Sequence, residues 1–276
     1  MQVTDPRLLS YLHHRLGKHQ IESWKPRVGL PARLRIGPGG KITFYHITGL
    51  DSNTPTPNFS ETFGRSTISA YVGFVDLAGF STSVHGKAPD EIAEYLTPFL
   101  NGLVGIIRNF GALIEKTIGD EVMFVLPEIE EEEVHREIKL LRGLMADLCA
   151  LAFGMDGRYR FRIGLSYGKV RFFCIEGPGY SEWTAVGETV HVAKRLHSLP
   201  ELEEPDPVIG AFGMQTAQES IEDVRRVMEQ RLSIVAGLDS PFDHRVTDKP
   251  LSLKGVGDVL YAILRPRPQP APSKAT

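Results

Sequence analysis

The sequence predicts an α+β fold built on a ferredoxin-like βαββαβ core with additional C-terminal strands. Three observations carry that prediction. The segment SAYVGFVDLAGF is rich in β-formers and closes on Gly79, the pattern of a buried strand over about 70–77. Downstream, the elements read strand, helix, strand, strand, helix, strand, which is the order of a split βαβ sheet. The apolar share of 42% is ordinary for a globular chain with a sizeable core.

The elements follow in order. Residues 1–40 carry a local basic excess, Arg7, Arg15, Lys18, Lys25, Arg27, Arg33 and Arg35 against Asp5 and Glu22. A solvated arm and a regulatory or dimer-bracing element both account for it. From Leu34, LRIGPGGKITFYHITGL reads as two short strands around a Pro-Gly-Gly turn, and 51–62 as a linker. Residues 1–62 therefore form an N-terminal extension. From Pro89 to Phe110, Ile92, Tyr95, Leu96, Phe99, Leu100, Leu103, Ile106 and Ile107 recur at helical spacing. GALIEKT and EVMFVLP around Ile118-Gly119-Asp120 form a hairpin. The acidic run Glu128–Glu133 precedes the helix IKLLRGLMADLCALAF, where acids face water and favour the positive end of the helix dipole. FRIGLSYGKVRFFCIE is read as two strands about Gly168, and 187–199 as a short helix. LSLKGVGDVLYAILR closes the 69–264 domain with strands around Gly255 and Gly257. The Pro-rich residues 265–276 are a disordered tail.

The bulk properties exclude several classes. A net charge of −3 and a pI near 6.3 argue against nucleic-acid binding by the whole chain. No apolar run reaches membrane-spanning length, and MQVTDPRLLSYLHH lacks a signal-peptide pattern. Cys149 and Cys174 both lie in apolar stretches, which fits buried thiols in a reducing, cytoplasmic setting.

Two carboxylates fall where this topology brings chain segments together. Asp76 ends the first strand and Asp120 sits in the hairpin bend. In a split βαβ sheet the first strand lies beside the hairpin, so the two acids can sit side by side. Such a pair can hold two divalent cations, Mn²⁺ or Mg²⁺, for an in-line displacement at phosphorus. The alternative is that Asp76 caps a turn and Asp120 supplies turn chemistry. Gly79-Phe80-Ser81 follows the first acid. Glycine there lets backbone N–H groups approach a phosphate, although glycine after a strand is also an ordinary turn.

Five segments together, FVDLAGFS, GALIEKTIGDEVMF, FRIGLSYGKV, VGETVHVAKRLHSL and LSLKGVGDVLYAIL, resemble the successive motifs of class III adenylyl/guanylyl cyclase catalytic domains, in that family's order and spacing. The resemblance covers about residues 69–264. It implies that Asp76, Asp120 and the backbone carbonyl of Leu77 are metal ligands, and that Lys254 contacts the terminal phosphates. It further implies that Lys116 and Thr184 read the base, that His191 orients the ribose and that Arg195 stabilises charge on the transferring phosphate. A head-to-tail homodimer with two shared sites is implied as well, one chain giving the aspartates and the other the base-reading residues, His191 and Arg195.

Thr184 and His191 depart from the family pattern, which often has Asp and usually Asn there. A threonine hydroxyl both donates and accepts, and histidine is bulkier than Asn and ionises near neutral pH. With its short form, the chain resembles the pyrimidine cyclases of bacterial Pycsar anti-phage systems, whose cyclic product activates a separate effector protein. Lys116 is a donor and uracil offers two carbonyl acceptors, which favours UTP; ATP is the alternative. A diguanylate cyclase is disfavoured by Ile118 and Val122 in the hairpin and by VGETVHVAKR. A silent cyclase-homology binding module is disfavoured by the presence of both aspartates and Arg195.

Overall fold

The computed structural model describes residues 32–36, 42–46, 67–109, 112–127, 129–130, 136–154, 159–178, 180–203, 208–216, 220–235 and 242–267. The core opens with β3 (Thr67–Leu77), whose side chains from Ile68 onward are all buried. It continues through a one-turn helix α1 (Phe80–Ser83), then α2 (Pro89–Asn109), β4 (Leu113–Ile118) and β5 (Glu121–Pro127). Next come α3 (Arg136–Gly154), β7 (Phe161–Gly177) and β8 (Tyr180–Val186). The remainder is α4 (Glu188–His197), β9 (Val208–Gln215), α5 (Ile221–Val235), β10 (Phe242–Val246), β11 (Leu251–Leu253) and β12 (Gly257–Pro266).

The main sheet runs β10-β12-β9-β7-β3-β5-β4, with β8 on β7 and β11 on β12. Its β7-β3-β5-β4 half is the ferredoxin-like order expected, antiparallel at each pairing. Strands β9, β10, β11 and β12 extend it at the other side. Two short strands, β1 (Ala32–Ile36) and β2 (Ile42–His46), form the hairpin expected in the N-terminal extension. Strand β2 also pairs in parallel with β6 (Ile129–Glu130).

Alternation along the strands assigns the two faces of the sheet. Tyr71, Val75 and Leu77 of β3 and Phe161, Ile163 and Leu165 of β7 point into one core with α2, α3 and α5, built on Phe99, Leu103, Leu144, Leu148 and Met228. Phe74 and Asp76 of β3, with Arg162 and Gly164 of β7, therefore face the other side. There α4 lies, and Val192 and Leu196 pack with Ile209, Ala211 and Val259. Cys149 belongs to the first core, and burial pushes its thiol up to about 12. The Cys174 side chain lies outside the described residues.

The expected break at Gly168 is absent. β7 is one 17-residue strand, pairing with β3, with β9 in parallel, and with β8 at its far end. Gly168 is there for close approach. A Cβ on it would stand 2.5 Å from Thr189 Oγ1, where α4 begins. Residues 200–250, where the sequence signals no element, contain β9, α5 and β10. Strand β12 runs to Pro266, opposite Phe242, two residues past the boundary drawn at 264. Of the acids expected to face water before α3, Glu130 lies in β6, while the others and the chain after 267 lie outside the described residues.

Candidate active site

The site starts from a cross-strand pair. Asp76 and Arg162 are directly opposed in the β3–β7 ladder, on the face away from the three-helix layer. Arg162 donates from Nε to Asp76 Oδ1 at 3.0 Å and from its terminal nitrogen to Oδ2 at 2.8 Å, a bidentate contact. His197, the last residue of α4, brings Nε2 to 2.7 Å from the same Oδ2. Burial by itself would raise the Asp76 carboxyl. The contacts with His197 and Arg162 outweigh it and hold Asp76 below the usual carboxylate range.

Helix α4 reaches Asp76 because β7 has no side chain beneath it at Gly164. A Cβ there would stand 2.2 Å from the Ala193 carbonyl oxygen and 2.6 Å from His197 Cβ. Thr189 at the other end of the helix donates to the Lys169 carbonyl at 2.9 Å.

The hairpin bend supplies the second carboxylate. Asp120 Oδ2 accepts the backbone N–H of Leu77 at 3.1 Å, so the bend is tied to the end of β3 across 43 residues. The first-strand acid and the bend acid thus meet as the topology suggested. For Leu77 the recorded contact is through its N–H. Burial pushes the Asp120 carboxyl up, and the Asp76 charge adds to this. The N–H groups of its own backbone and of Leu77, and the Arg162 charge, oppose the rise without reversing it.

Glu121 and Lys194 complete the cluster and form an ion pair. Glu121 Oε2 also lies 3.8 Å from His197 Nε2. Asp76, Glu121 and His197 each offer one ligand atom, and these atoms lie within 4.8 Å of one another, so the trio could hold a metal ion. Arg162, Glu121, Lys194 and His197 were missed by the sequence reading. The available signal was His197 itself, which falls on the buried stripe Thr189, Val192, Ala193, Leu196, His197 of α4.

The remaining expected residues lie elsewhere on the chain. Gly79 has φ 73° and begins α1, its carbonyl accepting the Ser83 N–H and hydroxyl, each at 3.0 Å. Phe80 stacks on Tyr95 with ring centroids 6.4 Å apart, and Ser81 is exposed. Lys254 is exposed in the β11–β12 turn. His191 and Arg195 are exposed one turn apart on α4. Two residues along a helix is about 200° of rotation, so Arg195 points away from the face on which His197 closes over Asp76.

Lys116 is exposed on β4 and Thr184 half-buried on β8. A residue not foreseen ties these strands together. Glu115 is 1% exposed, and its Oε1 accepts the Ala185 N–H at 2.8 Å. The β4–β5 register shifts between Ile114 and Lys116, and this bulge lets Glu115 turn inward while Lys116 remains outside.

No protein-family model matches the chain. Among curated proteins, the terminal-differentiation-specific adenylate cyclase of Dictyostelium discoideum is 23% identical over 155 residues, 54% of this chain and 7% of that protein. The receptor-type guanylate cyclase gcy-23 of Caenorhabditis elegans is 29% identical over 139 residues, 49% of this chain and 13% of that protein. The adenylate cyclase of Anabaena cylindrica is 25% identical over 131 residues, 46% of this chain and 26% of that protein. The chain thus spans a quarter or less of most of these relatives' lengths.

Among solved structures, the adenylyl cyclase CyaB from P. aeruginosa superposes with a TM-score of 0.54 at 16% identity, covering 74% of this chain and 97% of that one. The guanylate cyclase domain of RhGC from Catenaria anguillulae, in complex with GTP, gives 0.51 at 18% identity, covering 72% and 97%. With Asp76 and Asp120 joined at one end of a ferredoxin-like sheet, and with these relatives, the chain has the fold of class III nucleotide cyclase catalytic domains and resembles adenylate and guanylate cyclases in sequence.

Proposed function

We propose that this chain is a nucleotide cyclase. The ribose 3′-oxygen of a nucleoside triphosphate attacks its own α-phosphorus, the bond to the bridging α–β oxygen breaks, and pyrophosphate leaves. The observation that carries this reading is the meeting of Asp76 and Asp120 through the Leu77 N–H, on a fold shared with cyclase catalytic domains. The donor set fits divalent cations, because the bend acid is tied to the end of the first strand beside Asp76, which itself groups with Glu121 and His197. Asp76 and Asp120, with the Leu77 carbonyl, would hold Mn²⁺ or Mg²⁺, which when bound acidifies the attacking hydroxyl and neutralises phosphate charge.

The other residues act by position and charge. Arg195 meets negative charge developing on the transferring phosphate with its planar fork. Lys254 and the backbone at Gly79, Phe80 and Ser81 receive phosphate oxygens, and His191 orients the ribose. Lys116 and Thr184 contact the base. Since Arg195 leaves the face that carries its own Asp76, a second copy of the chain supplies it, which supports a head-to-tail homodimer. Phe173, Ile175 and Val186 are exposed on the β7–β8 arm, and Phe173 is the cross-strand partner of Thr184. A partner covering this apolar face would also close over Thr184.

For the base, the reading is UTP to cyclic UMP, supported by a donor at Lys116 and a hydroxyl where an acceptor-only Asp is usual. By the Pycsar resemblance, the product would act on a separate effector protein in anti-phage defence. Adenylate cyclisation is the second reading. It is favoured by the Dictyostelium and Anabaena relatives, both named adenylate cyclases. Incubation with each of the four nucleoside triphosphates and Mn²⁺, with mass identification of the product, separates these. Cyclic UMP is expected. Cyclic AMP would establish the second reading, and no cyclic product from any nucleotide would overturn the enzyme assignment in favour of a silent binding module.

A further inference from the structure

We propose that His197 supplies a nitrogen ligand, and Glu121 a carboxylate ligand, to a divalent cation held on Asp76, making this a mixed nitrogen–oxygen site that selects Mn²⁺ over Mg²⁺. The proposal shares Asp76 with the cyclase reading and deepens its metal chemistry, but it does not depend on which nucleotide is used.

Three observations carry it. The Asp76, Glu121 and His197 ligand atoms lie within 4.8 Å of one another, with Nε2 of His197 at 2.7 Å from Asp76 and 3.8 Å from Glu121. His197 is 4% exposed, and among the described residues its Nε2 is buried without a hydrogen bond of good geometry. The other ring nitrogen is already engaged. Nδ1 lies 3.2 Å from Ser198 Oγ, and that hydroxyl donates to the Lys194 carbonyl at 3.4 Å. Nε2 is the ring nitrogen that faces the carboxylate oxygens of Asp76 and Glu121, where it can ligate a cation that they hold. A histidine that ligates through one nitrogen while the other donates to a neighbour is the usual arrangement at metal sites.

The counter-charges are compatible. Arg162 occupies one lone-pair direction on each Asp76 oxygen, and each carboxylate oxygen has two. Lys194 is paired with Glu121 but half its side chain is in solvent, so it can yield to a cation. One imidazole nitrogen and two carboxylates suit Mn²⁺ and later transition ions. Mg²⁺ prefers an all-oxygen shell with retained water.

Pulsed electron paramagnetic resonance on the full chain loaded with Mn²⁺, any affinity tag removed and no nucleotide present, tests this directly. The expected result is ¹⁴N modulation from a coordinated imidazole in the wild type. His197→Gln should lose it while the protein remains folded by circular dichroism. Glu121→Gln should keep the modulation and weaken Mn²⁺ binding by about tenfold or more. Bound Mn²⁺ without ¹⁴N coupling, no Mn²⁺ binding, or coupling that persists in His197→Gln would each overturn the proposal. If His197→Gln does not fold, the wild-type spectrum together with Glu121→Gln decides. Failure of the cyclase reading is scored separately, by the absence of any cyclic product, and leaves this spectrum unaffected.

Discussion

Asp76 and Asp120 are neighbours held in opposite electrostatic conditions. Asp76 is held below its ordinary range, so its pairing stabilises the fold above the unfolded pKa of about 3.9, and that contribution is lost as pH falls through the folded value. Asp120 is raised, so its charge weakens the folded state at neutral pH and ceases to do so in acid. Asp120→Asn keeps an oxygen to accept the Leu77 N–H but removes the charge. It should therefore raise the melting temperature at pH 7, with the gain vanishing near pH 3, while cyclisation falls by about 10²-fold or more as a charge-positioning group is lost. A variant that is active with Mn²⁺, or no more stable than wild type at pH 7, would remove Asp120 from the assigned role. Thr184→Asp bears on the base. Asp adds an acceptor that suits the adenine amino group and opposes uracil carbonyls, at a cost of about 1–3 kcal/mol, or roughly ten- to a hundredfold in selectivity. UTP turnover should drop relative to ATP, and an unchanged ratio would show that Thr184 does not read the base. The approach of the bend acid to the end of the first strand was legible in the strand order. His197 and Glu115 were not, because their roles arise from contacts made across 121 and 70 residues of chain, with Asp76 and Ala185 respectively.

Elements place these residues through two close approaches. Gly164 lets α4 lie directly on β7, so Gly164→Ala drives a methyl into backbone atoms of Ala193 and His197 that cannot rotate away. Overpacking of this kind costs about 1–3 kcal/mol. The urea midpoint should fall with an unchanged slope, and His197 should move off Asp76. An unaltered midpoint would mean that α4 is not seated by this contact. The Glu115 bulge does the comparable task between β4 and β8. Glu115→Ala strands the buried Ala185 N–H at a cost of about 1–3 kcal/mol, and should raise the KM for nucleotide more than it lowers kcat. Glu115→Gln retains an acceptor and should behave nearly as wild type. Equal damage from both would show that the carboxylate charge, not its hydrogen bond, matters. The continuous β7 explains why the reading as two strands about Gly168 failed. A glycine that admits Thr189 and a glycine that makes a turn look identical until the partner helix is placed. The bulge was equally silent, since GALIEKT keeps an ordinary strand composition through it.

At the scale of the molecule, the βαββαβ order was readable because each element has its own periodicity and the order fixes which strands adjoin. The strands and helix between 200 and 250 carry no motif and only complete a sheet already begun, so nothing local marked them. The same topology poses the question of the shared site. Helix α4 turns His197 inward over Asp76 and Arg195 outward. Under the proposed cyclase reading, a complete site then needs two chains, each lending what the other lacks. Asp76→Ala loses the acid from both sites of a homodimer, and Arg195→Ala loses the arginine from both, so each should be inactive alone. Mixed and allowed to exchange, they form heterodimers in which one site combines both defects and the other has neither. With equal amounts and random pairing, half of the dimers are mixed and each has one intact site, so about a quarter of wild-type activity should return. Exchange must be shown independently, for example by mass measurement of differently tagged chains. Recovery near that fraction requires Asp76 and Arg195 to act across the interface, whereas exchange without recovery would place each site within a single chain and require α4 to move for Arg195 to reach the phosphate.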